Sequence, residues 1–364
     1  MAAPTYYVSR PVVLLDGQTN NALSTDILTL LVEETTEGLF RCEATFNNFG
    51  AHGSDADYLY FGRDILDFGK DFAIKLGPGD EARQVFKGRI SALEAEYPSG
   101  GGGLLVALAE DRLQDLRITR RTRTFDDVSD EDVMQQIAND HGLDTDISIN
   151  GPTYKVLAQV NQSDLAFLRE RARCVNAELW VEEDKKLFAH SRTDRASAVG
   201  DPIDMAYGVN LFSFSVRADL AHQCTELGVA GWDVAAKDAI EETADESAIS
   251  AELNDGQSSG SSILQQAFAK RKERIVHMTP FTNDEARSFA QARYRDLARC
   301  FITGTGVADG DARVRVGTTL NIGGLGSLFN GKYYVSRVRH TYDGTYGFRT
   351  EFEVERPGLG QAAQ

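Results

Sequence analysis

The chain has 364 residues, of which 42% are hydrophobic, and a formal net charge of −17 at pH 7. This length exceeds what one hydrophobic core normally organises, so we expect two or three domains in a globular protein. The acidic balance argues against a nucleic-acid binder, because such a protein needs a basic surface.

The four cysteines lie far apart in the sequence and lack the paired spacing of zinc or redox sites. They are Cys42, Cys174, Cys224 and Cys300. This pattern predicts buried thiols in a reducing compartment. The N-terminus lacks the pattern of a signal peptide, and no apolar run approaches the length of a membrane span. We therefore expect cytoplasmic synthesis and no membrane segment.

Residues 1–115 read as an all-β domain, either a small barrel or a sandwich. Short strands are predicted at residues 11–15 and 27–33. Residues 39–46 alternate strictly, which places one set of side chains on a buried face: Phe40, Cys42, Ala44 and Phe46.

Residues 116–206 read as a small α+β domain. Its first strand carries the one basic run of the chain, at residues 117–123, which we interpret as a solvated strand or one that faces acidic groups of the same protein. Ser129 and Ser163 each precede acidic residues and an apolar helical stripe, so both are predicted to be helix N-caps. Strands follow at residues 178–181 and 187–189, joined by a turn at residues 184–186.

Residues 207–236 and 301–358 read as a second β-domain, interrupted by an insertion at residues 237–300. The insertion begins with an acidic, Ser- and Gly-rich stretch at residues 240–262, whose composition predicts a flexible loop. A helix follows, capped by Thr282 or Asn283.

The two β-domains contain similar stretches, at residues 74–112 and 320–356. The longest match has no gap and aligns residues 90–97 (Ile-Ser-Ala-Leu-Glu-Ala-Glu-Tyr) with residues 335–342 (Val-Ser-Arg-Val-Arg-His-Thr-Tyr). Each copy then passes through a glycine turn, at residues 100–103 or at Asp343-Gly344, into a second strand. We interpret the pair as a duplicated β-domain; the alternative is a chance likeness between two glycine-turn hairpins.

No motif in the sequence predicts catalysis, a cofactor or a metal. The histidines are scattered without ligand spacing: His52, His141, His190, His222, His277 and His340. The glycines at residues 100–103 join strands rather than open a helix, so they form a hairpin turn and not a phosphate loop. Asp309-Gly310-Asp311 lacks the other ligands of a calcium loop. We therefore predict no catalytic, cofactor-binding or metal-binding residues and no enzymatic activity.

Three segments resemble the phage late control D family and the hub part of VgrG proteins, the central baseplate hubs of contractile tails and contractile injection systems. The first runs from Phe86-Lys87-Gly88 to the segment at residues 120–125. The second covers residues 160–169, 178–181 and 186–188. The third runs from Gly331 through His340 to residues 350–352.

The resemblance implies a fold that is mainly β with α+β parts, containing two similar tube-type β-barrel domains. It also implies a homotrimer of pseudo-sixfold symmetry, because three chains with two like barrels give six similar positions. The implied partners are a hexameric tail tube on one face, a trimeric spike on the other, and further baseplate proteins. Little sequence follows Pro357, so we expect the spike to be a separate polypeptide.

Two other functions remain open at this point. One is a carbohydrate-active enzyme that acts on cell walls, because some spike assemblies carry such domains and a β-rich acidic chain is compatible with that role. The other is a peptidoglycan-binding module in residues 116–205. The absence of a recognisable catalytic constellation weighs against the enzyme, and retention by cell-wall sacculi would favour the binding module.

Overall fold

The computed structural model describes residues 10–360, except 53–54, 183–184, 235 and 254–255. The fold is mainly β with smaller α+β parts, as the sequence predicts. Strands from both ends of the chain join one large, mostly antiparallel sheet, and the α+β parts lie between them in sequence. Three hydrophobic cores are formed: one under each end of the sheet and one in the middle region.

The first part of the chain forms one half of the large sheet over its own core, which includes Phe40, Cys42, Ala44 and Phe46 as predicted. The short helix α1 spans Asn21–Asp26. The strands are β1 (Val12–Leu15), β2 (Gln18–Thr19), β3 (Ile27–Thr35), β4 (Arg41–Asn47), β5 (Phe49–His52), β6 (Asp55–Tyr58), β7 (Asp71–Leu76), β8 (Arg83–Glu96) and β9 (Leu104–Glu110).

The middle part begins the α+β region, and both predicted helix caps are confirmed. The Ser129 hydroxyl accepts a hydrogen bond from the Asp132 amide at 3.2 Å, and the Ser163 hydroxyl accepts one from the Ala166 amide at 3.2 Å. The elements are α2 (Leu113–Arg117), β10 (Arg120–Ser129), α3 (Asp130–Asp140), β11 (Asp144–Ser148), β12 (Thr153–Ser163), α4 (Asp164–Cys174), β13 (Ala177–Glu182), β14 (Lys186–Ser191) and α5 (Arg192–Val199). Asp184, at the start of the predicted turn, lies outside the described residues.

The last part contains the other half of the large sheet and an ordered insertion. The predicted cap of the long insertion helix is Thr282, whose hydroxyl accepts from the Glu285 amide at 3.2 Å. The elements are β15 (Ile203–Ala206), β16 (Leu211–Ala218), β17 (Glu226–Asp233), β18 (Asp238–Asp245), β19 (Ser258–Ser259), α6 (Gly260–Phe268), β20 (Lys272–Ile275), α7 (Asn283–Arg299), β21 (Ile302–Asp309), β22 (Thr319–Gly323), β23 (Gly331–Asp343), β24 (Gly347–Arg356) and β25 (Gly358–Leu359).

Apart from residues 254–255, which lie outside the described residues, most of the acidic stretch at residues 240–262 has regular secondary structure and is not the irregular loop that its composition predicts. Its first residues belong to β18, which pairs along its whole length with β17. A 3₁₀ helix at Glu246–Glu252 follows and buries Ile249 completely. Ile240, Ala244 and Ile249 are spaced so that each reaches the core, while the carboxylates between them remain at the surface.

The boundaries predicted around the second β-domain also differ from the structure. β17 was predicted to belong to that domain, but it pairs with β18 and β20 in a separate three-stranded sheet. Leu227 and Val229 of β17 share the middle core with α7 and with the helices of residues 130–174. β15, which was predicted to end the α+β domain, instead pairs with β22 of the large sheet. The insertion and the α+β region therefore pack as one body.

The two halves of the large sheet have the same strand order. We call β3-β4-β9-β8-β7 the first unit and β16-β21-β24-β23-β22 the second unit; within each, all neighbours are antiparallel. Both units have a β-bulge in the first strand pair, between Ile27 and Thr29 or between Leu211 and Ser213. This common order supports the predicted duplication.

A second bulge occurs at the predicted alignment of residues 90–97 with 335–342. β8 bulges between Ile90 and Ala92, and β23 bulges between Val335 and Arg337. The bulged residues are the aligned serines Ser91 and Ser336, and each hydroxyl lies 3.4 Å from a carbonyl oxygen of the neighbouring strand. Bulges fix the register of a strand, so the two units can be compared residue by residue.

Candidate assembly surface

The two units are joined edge to edge by the pairing of β23 with β3. Seven residue pairs connect them, from Arg337 opposite Thr35 to Asp343 opposite Thr29. The first unit therefore continues into the second without a break in hydrogen bonding. We call this pairing the internal junction.

Charged side chains reinforce the internal junction on the face of the sheet away from the cores. Glu33 of β3 is nearly buried and contacts three guanidinium groups, those of Arg41, Arg337 and Arg339. Its distance to Arg339 Nε, directly opposite in the register, is 3.0 Å. Burial disfavours the charged carboxylate, but the hydrogen bond from Arg337 and the three positive charges outweigh it and lower the pKa of Glu33.

On the core side of the junction, His340 of β23 is completely buried opposite Val32. Its Nε2 lies 3.0 Å from the Val314 carbonyl oxygen, which can only accept, so Nε2 carries the proton. Its Nδ1 then accepts from the Thr350 hydroxyl at 3.2 Å. Burial, with the nearby Arg315 charge, lowers the pKa of His340 to about 3. His340 is therefore a neutral structural residue and not a ligand.

A second buried charge cluster attaches the middle region to the second unit. Glu178 of β13 lies 3.1 Å from Arg192 Nε and 3.0 Å from Arg195 Nη1, and it accepts a hydrogen bond from the Tyr334 hydroxyl. Arg192 also binds Glu355 of β24 at 2.7 Å. Burial opposes ionisation of Glu178, yet its two arginines outweigh burial and lower its pKa.

Each unit has an edge that corresponds to one side of the internal junction. β16 occupies the position of β3, and within the described residues β21 is the only strand that pairs with it; Leu211, at its start, also forms an isolated bridge with Tyr207. The end of β8 occupies the position of the end of β23. Ile90 bonds to Gly69 and Lys70 on that side, but no described strand pairs there with residues 91–96. The chain therefore exposes one edge of each kind, which we call the β16 edge and the β8 edge.

Four aromatic side chains lie beside the β8 edge. They form a chain of ring contacts, with 5.8 Å between the centroids of Phe49 and Tyr58, 4.6 Å between Tyr58 and Phe61, and 6.3 Å between Tyr58 and Tyr97. All four are exposed, Tyr97 by 66%. A Cβ on the neighbouring Gly103 would lie 2.7 Å from the Tyr58 ring, so a larger residue there would displace that ring. We call these four residues the aromatic cluster.

The remaining candidates from the sequence have structural roles. The basic run at residues 117–123 faces acidic groups of the same chain, which is the second of the two interpretations offered by its sequence. Arg117 binds Glu110, and Arg121 and Arg123 both bind Asp164. Among the described residues no group of three His, Cys, Asp or Glu side chains could hold a metal ion. Three of the cysteines are buried as predicted, but Cys300 is exposed.

A family model described as the Alg8 N-terminal domain matches residues 13–343. The chain belongs to this family. The match covers the first unit, the middle region, the internal junction and the second unit apart from β24, which begins at Gly347. A search of the curated proteins gives no match.

Solved structures show which other proteins share the fold of this Alg8 N-terminal domain family member. The 43 kDa tail protein of prophage MuSo2 from Shewanella oneidensis has a TM-score of 0.68 at 12% identity, with 96% of this chain and 98% of that chain covered. A tail protein from Neisseria meningitidis MC58 gives 0.68 at 11% identity, with 96% and 97% covered.

The third structure links the fold to secretion. The E. coli c3393 protein, described as a component of the type VI secretion system with structural similarity to bacteriophage tail proteins, gives a TM-score of 0.60 at 10% identity, with 97% of this chain and 79% of that chain covered. The chain thus has a fold found in phage tail and type VI secretion proteins. Within the described residues, no helix is both long and apolar enough to span a membrane.

Proposed function

We propose that the chain is the structural hub of the baseplate in a contractile phage tail or contractile injection system, and not an enzyme. In this proposal three copies form a ring of pseudo-sixfold symmetry, which joins the hexameric tail tube to a trimeric spike and contacts other baseplate proteins. The similarity to tail and type VI secretion structures and the resemblance to late control D and VgrG hub proteins support this role.

The observation that carries the proposal is the internal junction between two units of the same strand order. One chain already contains one complete unit-to-unit contact and exposes one edge of each kind. Three chains joined through these edges contain six units and leave neither the β8 edge nor the β16 edge open, which removes the hazard of these exposed edges. A ring of six similar units matches a sixfold tube, while its three chains match a threefold spike.

The first test is the native mass of the purified full-length chain. We expect a particle with three times the mass of one chain, because only three copies provide six units in a closed ring. Native mass spectrometry or light scattering measures this directly. A particle of a single chain at high protein concentration, or a closed assembly of two or four chains, would contradict the hub.

The second test concerns the interior of the ring, which in this proposal is formed by the sheet face away from the cores. Carboxylates of this face outnumber its guanidinium groups in the strands around the junction. They include Glu33, Glu43, Glu94, Glu96, Glu110, Glu351, Glu353 and Glu355, against Arg41, Arg89, Arg217, Arg337, Arg339 and Arg349. Together with the net charge of −17, this predicts an acidic or neutral interior that does not retain DNA. Gel-shift titrations at low salt should show no complex, and tight, salt-sensitive binding would overturn the prediction.

A further inference from the structure

The internal junction provides a template for the contact between copies, because its two sides recur at the exposed edges. The bulges align Ile90 with Val335 and Ile27 with Leu211. Counting along the strands from these bulges, residues 92–97 correspond to residues 337–342 of β23. Residues 92–96 lie in β8, and Tyr97 directly follows it. Residues 213–219, in β16 and just after it, correspond to residues 29–35 of β3.

We infer that the β8 edge of one copy pairs with the β16 edge of a second copy, antiparallel and in the register of the internal junction. Glu94 of one copy then lies opposite Arg217 of the other, Ala95 lies opposite Val216, and Tyr97 lies opposite Phe214. The inference rests on the proposed ring and adds to it the partner surface, the register and the residues that select the register.

Charge complementarity supports this register. At the internal junction, Arg339 of β23 lies opposite Glu33 of β3. The corresponding residues at the exposed edges are Glu94 and Arg217, the same pair with the charges exchanged. Both are exposed, and neither forms an ion pair with any residue that the structure describes. A shift by two residues in one direction would place Glu94 opposite Ser215. A shift by two in the other direction would bring Arg217 opposite Glu96 but would place Glu94 opposite Asp219, two like charges.

The exchange of charges also discriminates between partners. The β8 edge presents Glu94 where the internal junction has Arg339, so it would place a carboxylate opposite Glu33 if it met β3. Like charges directly opposite each other in a sheet are destabilising. Pairing of the β8 edge with β3 is therefore disfavoured by charge. This keeps β3 paired with β23 of its own chain and leaves the β8 edge free to pair with another copy.

Apolar surface at the two edges supports the same contact. At the internal junction, Tyr342 lies opposite Leu30 and is buried against the first core. Its counterpart Tyr97 is exposed with the aromatic cluster, and the β16 edge presents the exposed ring of Phe212 beside the half-buried Phe214. Pairing in the inferred register covers these rings in one contact, which explains why both edges carry exposed aromatic groups.

Charge reversal tests the ion pair. In Glu94→Arg or Arg217→Glu, like charges face each other at every contact between copies, so we expect the dissociation constant of the trimer to rise at least tenfold. The double variant restores opposite charges and should recover most of the lost assembly. Glu241→Arg, which changes a surface carboxylate away from both edges, should leave assembly unchanged. Single variants that assemble normally, or a double variant that is no better than either single variant, would overturn the inferred pair.

Cysteine cross-linking tests the register itself. In a Cys300→Ser background, which removes the exposed native thiol, Glu94→Cys with Arg217→Cys should form disulfides between copies on mild oxidation. Glu94→Cys with Ser213→Cys should not, because four residues along a strand are about 13 Å, beyond the reach of a disulfide. A trimer by native mass that links the second pair and not the first would overturn the register while the hub proposal stands. A wild-type protein that stays a single chain would overturn both.

Discussion

Replacing Glu178 by alanine should lower the free energy of unfolding by about 3–5 kcal/mol, the usual cost of removing one partner from a buried ion pair. Glu178 is the shared partner of Arg192 and Arg195, and the Arg195 side chain is almost completely buried. Without the carboxylate, two guanidinium groups stay close together in a region that water reaches poorly. Arg192 keeps Glu355, but Arg195 loses its carboxylate partner. The cost can be read from urea unfolding at one fixed protein concentration.

The matched control is Glu241→Ala. Glu241 pairs with Arg274 at 3.1 Å, but both side chains are more than half exposed. Exposed pairs contribute at most about 1 kcal/mol, so this variant should unfold close to the wild-type protein. A loss for Glu178→Ala no larger than that of the control would mean that the buried cluster is well solvated, and the explanation given for it would fail. Glu178→Gln, which keeps the shape and loses the charge, should fall between the two.

Local features of the structure could be predicted because they depend on neighbours in sequence. The alternation at residues 39–46 places Cys42 and Ala44 in the first core, and the serines before α3 and α4 cap those helices as predicted. In each case the residue and its partner lie within four positions of each other, so the pattern is visible in the chain itself.

The acidic stretch shows where composition misleads. Residues 240–262 have the charge and the Ser and Gly content of a linker, but the polar side chains that the stretch buries have partners. Glu252, largely buried, pairs with Arg299 of α7, and the more exposed Glu242 pairs with Arg287. Few apolar side chains from the stretch suffice, because α7 and the elements of residues 113–189 supply the rest of the core. That contribution comes from 40 or more residues away and leaves no signal in the stretch itself.

The assembly surface was only half visible in the sequence. The ungapped match of residues 90–97 with 335–342 already aligned Glu94 with Arg339, so the reversed charge was there to be seen. The correspondence of β16 with β3 could not be seen in the sequence, because residues 211–217 and 27–33 share little beyond alternating apolar positions. Only the strand order and the common bulges align them. Edge pairing is non-local, so a single sequence indicates the strands but not which of them meet.

Acid should weaken the internal junction through His340. The imidazole is neutral in the folded protein because burial, with the Arg315 charge, lowers its pKa to about 3, against 6.5 for the ordinary side chain. The unfolded chain therefore binds a proton more readily than the folded one. The stability that depends on the neutral ring is complete above pH 6.5 and falls as the pH drops from 6.5 towards 3. At about 1.4 kcal/mol per pH unit, the loss reaches about 3 kcal/mol by pH 4.

Comparison of variants isolates this contribution from the carboxylates, which also titrate in acid. His340→Gln removes the titrating group, so its free energy of unfolding, although lower at pH 7.5, should fall less steeply between pH 6.5 and 4 than that of the wild-type protein. His222→Gln changes an exposed histidine and should keep the wild-type slope. Urea unfolding at several pH values gives the slopes. Equal slopes for wild-type and His340→Gln would show that the ring is protonated without opening its hydrogen bonds to Val314 and Thr350. Because His340 lies opposite Val32 in the pairing of β23 with β3, the steeper wild-type slope reports on the stability of the internal junction.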